Sequence, residues 1–171
     1  MTTRISLERL NTLGQADFVA ALGGIFEGPP WIVTDAWAAG PFSSLDALYS
    51  ALCQVMYDAP AERKVALIQA HPDLVGRAAR TGTLGPASTA EQAAAGLSEL
   101  TAEEIATFER LNAEYQQRFG FPFVICAREN KKESILAGFA ARMHNTRNQE
   151  IAAALDEIAK ICRLRLLDTI Q

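Results

Sequence analysis

Apolar side chains recur at three- and four-residue spacing along most of this chain, the pattern of helices that bury one face. The clearest stretch carries Leu45, Leu48, Tyr49, Leu52, Val55 and Met56 behind Ser43 or Ser44 as a cap, predicting a helix to about Asp58. Upstream, Ser6 to Thr12 reads as a short amphipathic turn. Gln15 to Leu22 reads as a helix with Phe18, Val19 and Leu22 on one side, ended by Gly23-Gly24. Gly28-Pro29-Pro30 is a break, and Pro30 opens a helix carrying Trp31 and Trp37, since its missing donor costs nothing in a first turn. Pro60 opens another helix, running through Leu67 and Ile68 to Ala70.

Beyond a connector from His71 to Gly85, Ser88 or Thr89 starts a helix that Gly96 ends. Thr101 with Glu104 forms a capping box ahead of a stripe of Ile105, Phe108, Leu111, Tyr115 and Phe119, and Gly120 closes that helix. Asn130 with Glu133, and Thr146 with Gln149, cap the two helices that follow, the last reaching about Asp168. Residues 121–127, FPFVICA, are the one strand-like run. A single short run cannot make a sheet, so the expectation is an extended apolar segment threaded through a helical core. The predicted fold is all-α: a single-domain bundle, spanning residues 1–171, of about seven to nine helices with no repeat, low-complexity tract or linker.

Composition narrows the function classes. At 171 residues, 49% hydrophobic and 21% charged, the chain is long enough to bury a core of its own. A net charge of −4, with no Lys/Arg run longer than two, argues against nucleic acid as a partner. Cys53, Cys126 and Cys162 are far apart, odd in number and set in apolar surroundings, as reduced core thiols are. No segment approaches the roughly 20 apolar residues of a membrane span. The first residues lack the apolar stretch of a secretion signal, and the last four, Asp168 to Gln171, are no retention or peroxisomal address. A cytoplasmic protein without membrane contact is the expectation.

Candidate chemistry gathers at His71 and at the start of the helix after the connector. Pro72 pushes His71 out of the helical region, leaving its imidazole at a helix end facing a loop. Its alternative role is that of a surface or supporting histidine. Asp73 fits as a cap for the short turn that follows. Ser88 and Glu91 have the spacing of a capping box, which competes with a ligand-binding role for the carboxylate. On the last helix, Ile151, Ala154, Leu155, Ile158, Ile161, Cys162 and Leu166 form one stripe, and Arg165 falls near its middle. A guanidinium there needs an anionic or strongly polar partner: either a structural ion pair or a bidentate clamp on a ligand. Arg163 falls on the polar side. His144 lies off its helix's apolar stripe and is left out of the site. With two histidines, no HExxH and no cysteine pair, no metal site is expected. GxGxxG, P-loop and GxSxG motifs are absent too.

Taken together, HPDL at 71–74, SxxEQxxAGL at 88–97, LNxxYxxRFGFPFVIC at 111–126 and LRL at 164–166 resemble the 2-oxo-4-hydroxy-4-carboxy-5-ureidoimidazoline (OHCU) decarboxylases, in order and over nearly the whole chain. The resemblance implies an all-α homodimer that converts OHCU to (S)-allantoin and CO2 without metal or organic cofactor. It carries catalytic roles to His71 and Glu91, and substrate-contacting roles to Pro72, Ser88, Gln92 and Arg165. Phe123 and Ile125 are the expected pocket-wall residues. Two other classes fit the residues taken alone. A hydrolase or hydratase of another small ureide would use the same His/Glu pair on water, and a non-catalytic helical module would make Arg165 and Glu91 purely structural. Gly76, Gly82 and Gly85 would let the connector move over a substrate.

Overall fold

The structure is a computed structural model that describes residues 3–171. Among them every regular element is helical. The α-helices are α1 (Leu7–Asn11), α2 (Gln15–Leu22), α3 (Trp31–Ala36), α4 (Leu45–Asp58), α5 (Ala61–Gln69), α6 (Arg77–Thr81), α7 (Pro86–Ala94), α8 (Ala102–Phe119), α9 (Lys132–Arg142) and α10 (Arg147–Thr169). Single 3-10 turns occupy Trp37–Ala39 and Ala127–Glu129. The all-α expectation holds, with one element beyond it: α6 lies inside the connector, where flanking glycines gave no helical pattern. None of these helices is long and apolar enough to cross a membrane.

Local sequence explains most boundaries. Ser44 accepts from the Ala47 N–H at 3.0 Å and starts α4. Thr101 and Glu104 cap α8 reciprocally, at 3.1 and 3.2 Å. Thr146 and Gln149 do the same for α10, at 2.9 and 3.2 Å. Gly120, at φ 81, ends α8 in the left-handed conformation that glycine adopts without strain. Two expectations need correction. Trp37 belongs not to α3 but to the 3-10 turn after it. The α9 cap is Lys131, whose N–H donates to Ser134 Oγ at 3.0 Å, rather than Asn130 with Glu133. Asn130 is already engaged, its amide donating to the Cys126 carbonyl at 2.9 Å to close the 3-10 turn.

The chain's internal contacts gather it into two compact units. One runs from the amino-terminal segment to Lys64 and resumes at Ala159–Gln171; the other is Val65–Ile158. In the first, α3 packs on α2 and α4, and Leu22, Leu48, Leu52, Met56, Cys162 and Leu166 are wholly buried or nearly so. Asn11 ties this unit's loops by exchanging two hydrogen bonds with the Phe42 backbone, at 2.9 and 2.8 Å.

The second unit is built on aromatic rings. Tyr115 packs edge-on against Phe121, Phe123 and Phe139, and Phe123 stacks on Phe139 with centroids 3.9 Å apart. Residues 122–126 pass through this core outside any helix or strand, whereas Phe121 lies in a bend and Ala127, expected in the same run, belongs to the 3-10 turn. Burial of such rings supplies on the order of 2–3 kcal/mol each. The segment's backbone polar groups are answered by side chains instead of a sheet: Arg142 Nη1 donates to the Val124 carbonyl at 2.6 Å, and Glu157 accepts from the Cys126 N–H at 3.2 Å.

Candidate active site

α5 delivers His71 to its place. The His71 N–H donates to the Ile68 carbonyl at 3.1 Å, and Nδ1 lies 2.8 Å from the Leu67 carbonyl oxygen. A carbonyl can only accept, so the neutral ring carries its proton on Nδ1, and Nε2 becomes the basic nitrogen. The residue is only 8% exposed, which removes the surface-histidine reading.

After Pro72 the chain turns sharply. Val75 sits at φ 53, an outlier for a β-branched residue that costs about 1–3 kcal/mol. Such strain persists only where surroundings enforce it, and two buried amides do so. Gln92 accepts from the Val75 N–H at 3.1 Å and donates to the Asp73 carbonyl at 3.4 Å. Asn112 donates to the Leu74 carbonyl at 2.8 Å. Gly76 completes the turn: a Cβ there would lie 2.7 Å from Asp73 Cβ. The expected side-chain cap by Asp73 is not formed. Its Oδ1 is buried without a hydrogen-bond partner, and the turn is closed by the Gly76 N–H on the Asp73 carbonyl at 3.4 Å. Burial raises the Asp73 carboxyl pKa above its ordinary value.

α7 overturns the capping reading of Ser88 and Glu91. The helix starts earlier, at Pro86, behind Gly85 as N-cap. A proline fits the first helical position and an extended glycine the cap, so Ser88 falls at the third helical residue and Glu91 a full turn in. Thr89 strengthens the earlier start: its N–H and hydroxyl both donate to the Gly85 carbonyl, at 2.9 and 3.0 Å. Glu91 is therefore released from capping. Ser88, Glu91 and Gln92 share one helix face by their spacing, with Ser88 and Gln92 buried and Glu91 half-buried. The 3-10 turn at Ala127–Glu129 packs against α7. Burial, with the nearby Glu129, Glu157 and Glu91 carboxylates, pushes the Cys126 thiol up to about 11. All three cysteines are buried free thiols, as their setting predicts.

Phe123 and Ile125 differ in exposure. Phe123 is sealed between Phe139 and the Arg142 guanidinium, 4.3 Å from its ring centre, while Ile125 is half-buried. In the other unit, Arg165 occupies the buried stripe of α10 as its periodicity predicts, 6% exposed. Nη2 lies 3.2 Å from Glu27 Oε1, and Nη1 donates to the Gly24 carbonyl at 3.1 Å. Arg163 instead pairs with Asp46 at 2.7 Å on the exposed side. His144 is exposed, apart from this chemistry. Among the described residues, no group of three or more His, Cys, Asp or Glu side chains could hold a metal ion.

Periodicity singles out neither Asn112 nor Glu27. Leu111 falls on the apolar stripe of α8, but Asn112 is the residue buried beside Phe108 and Tyr115. A polar residue one position from an apolar stripe is the signal that could have found it. Glu27 offered none, being 138 positions from Arg165.

Residues 11–167 match the family model described as OHCU decarboxylase. A 2-oxo-4-hydroxy-4-carboxy-5-ureidoimidazoline decarboxylase from Amia calva is 40% identical over 167 residues, covering 98% of this chain and 95% of the relative. Another of that name from Haloferax volcanii is 40% identical over 164 residues, covering 96% and 95%. A crystal structure of (S)-allantoin synthase superimposes with a TM-score of 0.78 at 26% identity, covering 98% of this chain and 54% of that one, so this chain spans about half its length.

Proposed function

The chain belongs to the OHCU decarboxylase family, and from that premise we propose that it removes CO2 from OHCU to give (S)-allantoin, with His71 as general acid/base and Glu91 positioning the substrate. It is a carboxy-lyase of urate catabolism. The observation that carries the residue assignment is the locked imidazole: His71 is buried, and its Nδ1 is held by the Leu67 carbonyl, so Nε2 is fixed as the proton-accepting atom.

The chemistry follows from the bond that breaks. Cleavage between the carboxylate and the hydroxyl-bearing carbon releases CO2 and leaves its electron pair on that carbon, delocalised into a neighbouring C=N or C=O. Preorganised donors that meet this charge supply the largest catalytic effect. His71 handles the proton at the hydroxyl or carboxylate end. Glu91, not used as a cap, accepts from ureido or ring N–H groups, and Ser88 on the same face offers a hydroxyl. Gln92 holds the loop that follows His71, so its contribution to substrate contact is shared with that task. Pro72 and Ile125 serve as apolar wall, backed from the core by Phe123, and Arg165 is assigned to donate to substrate oxygens. Protonation on one face of the carbanion sets the S configuration.

The reaction needs no metal or organic cofactor, and the working enzyme is a cytoplasmic homodimer of one decarboxylase-like domain per chain, testable by light scattering of the eluted protein. The decisive experiment follows circular dichroism of allantoin as urate is oxidised and hydrolysed in situ. Rapid (S)-allantoin that is lost in His71→Ala supports the assignment. Racemic product at the uncatalysed rate with the wild-type protein overturns it.

A further inference from the structure

Asn112 is a buried polar group that the reaction as described does not use. It lies on the inward face of α8 between Phe108 and Tyr115, positions where an apolar side chain would pack without cost. It is 7% exposed, and its Oδ1 is buried with no hydrogen-bond partner. An amide kept in a core with one of its groups unsatisfied is a burden on folding. Its other group makes one contact: Nδ2 donates to the Leu74 carbonyl at 2.8 Å.

That carbonyl lies at the turn that directs the chain away from His71. Residues 73–75 are gripped by side chains from two helices: Gln92 of α7 holds the Asp73 carbonyl and the Val75 N–H, and Asn112 of α8 holds the peptide oxygen between them. Val75 at φ 53 is the residue most disposed to relax if either grip is lost. The His71 ring is held through Nδ1 by the Leu67 carbonyl. Its backbone continues directly into the gripped turn, so a relaxed turn swings Pro72 and tilts the ring.

We infer that Asn112 is a positioning residue for His71, holding the Leu74 carbonyl so that the strained 73–75 turn keeps the Nε2 nitrogen aimed at the substrate. The inference rests on His71 being the acid/base of the reaction. Asn112 touches no reacting atom; it acts through the turn.

The test compares Asn112→Leu, an apolar side chain of similar size, with Asn112→Ala and the wild type, measuring turnover of freshly generated OHCU per folded molecule. A displacement of about 1 Å at a reacting group costs on the order of a hundredfold. The expected result is therefore a fall of about ten- to a hundredfold in kcat with KM changed less than about threefold. The chain's two histidines make the ring signals simple to assign, and His144 is exposed. The His71 ring resonances should shift in both variants while those of His144 do not. Wild-type kcat per folded molecule with an unmoved His71 signal in Asn112→Leu would overturn the inference, however much stability either variant loses. His71→Ala separates the two levels. If it remains active, the acid/base assignment fails; if it is inactive while Asn112→Leu turns over normally, only the positioning role fails.

Discussion

The Arg142 guanidinium and the Glu150 carboxylate meet at 2.8 Å inside the aromatic core of the second unit, with Glu150 wholly excluded from solvent. The pair is part of a larger set of contacts, although Arg142 Nη2 is buried without a hydrogen-bond partner. Glu150 also accepts from the Tyr115 hydroxyl at 2.5 Å and from Asn145 Nδ2 at 2.8 Å, and Arg142 reaches on to the Val124 carbonyl. A charged residue of α9 and one of α10 thereby fix the extended segment that carries Phe123 and Ile125.

Removing one member of this pair leaves the other buried and uncompensated. Glu150→Ala should lower unfolding free energy by about 3–5 kcal/mol, read as a shift of the urea midpoint at unchanged slope. A loss below about 1 kcal/mol would mean that water reaches Arg142 and that the segment is held by packing alone.

Glu91 gives a different signature because α7 starts at Pro86. Had Ser88 and Glu91 formed a capping box, Glu91→Gln would weaken the helix start. In the observed register the substitution leaves the cap untouched. Stability should change by no more than about 0.5 kcal/mol, while kcat/KM falls by about a hundredfold or more. Equal losses of stability and activity would return Glu91 to a structural role.

That contrast shows where the sequence spoke clearly. Thr101 with Glu104, Thr146 with Gln149 and Ser44 read correctly because a cap is decided by neighbours three residues away. Ser88 with Glu91 has the same spacing, but Gly85 as cap and Pro86 as first helical residue offer a better start three residues earlier. Periodicity also placed Arg165 in the core, since one helix carries the whole signal. What it could not supply was contact between segments far apart in the chain: the Leu67 carbonyl's choice of the His71 tautomer, the grip of Gln92 and Asn112 on the turn, and Glu27 opposite Arg165.

Asp73 yields a prediction in pH. Burial raises its folded-state pKa above the unfolded value. In the folded chain the neutral acid is therefore favoured, and ionisation opposes folding. Asp73 thus favours the folded state most below its unfolded pKa, and that contribution is lost as pH rises through the folded pKa. Asp73→Asn cannot ionise, so it should be more stable than the wild type near neutral pH, with the gap closing in acid. Denaturant titrations of both proteins at several pH values check this; a gap that widens in acid would mean that Asp73 is stabilised as its anion.

Arg165 sets the structural and functional readings directly against each other. Its pairing with Glu27 and its bond to the Gly24 carbonyl satisfy part of the guanidinium within its own unit, which is what a purely structural ion pair would need. Buried pairs of this kind are often replaced by apolar groups at little cost when both charges go together. The double variant Arg165→Met/Glu27→Gln should therefore fold within about 1–2 kcal/mol of the wild type, and the single Arg165→Met, which takes the guanidinium from the half-buried Glu27 carboxylate, should be the less stable of the two. Activity distinguishes the readings. If the guanidinium meets substrate oxygens, the double variant regains stability but not turnover, and kcat/KM stays lower by about a hundredfold or more. Restored turnover in the double variant would assign Arg165 to the fold alone and leave His71, Ser88 and Glu91 to hold the substrate without it.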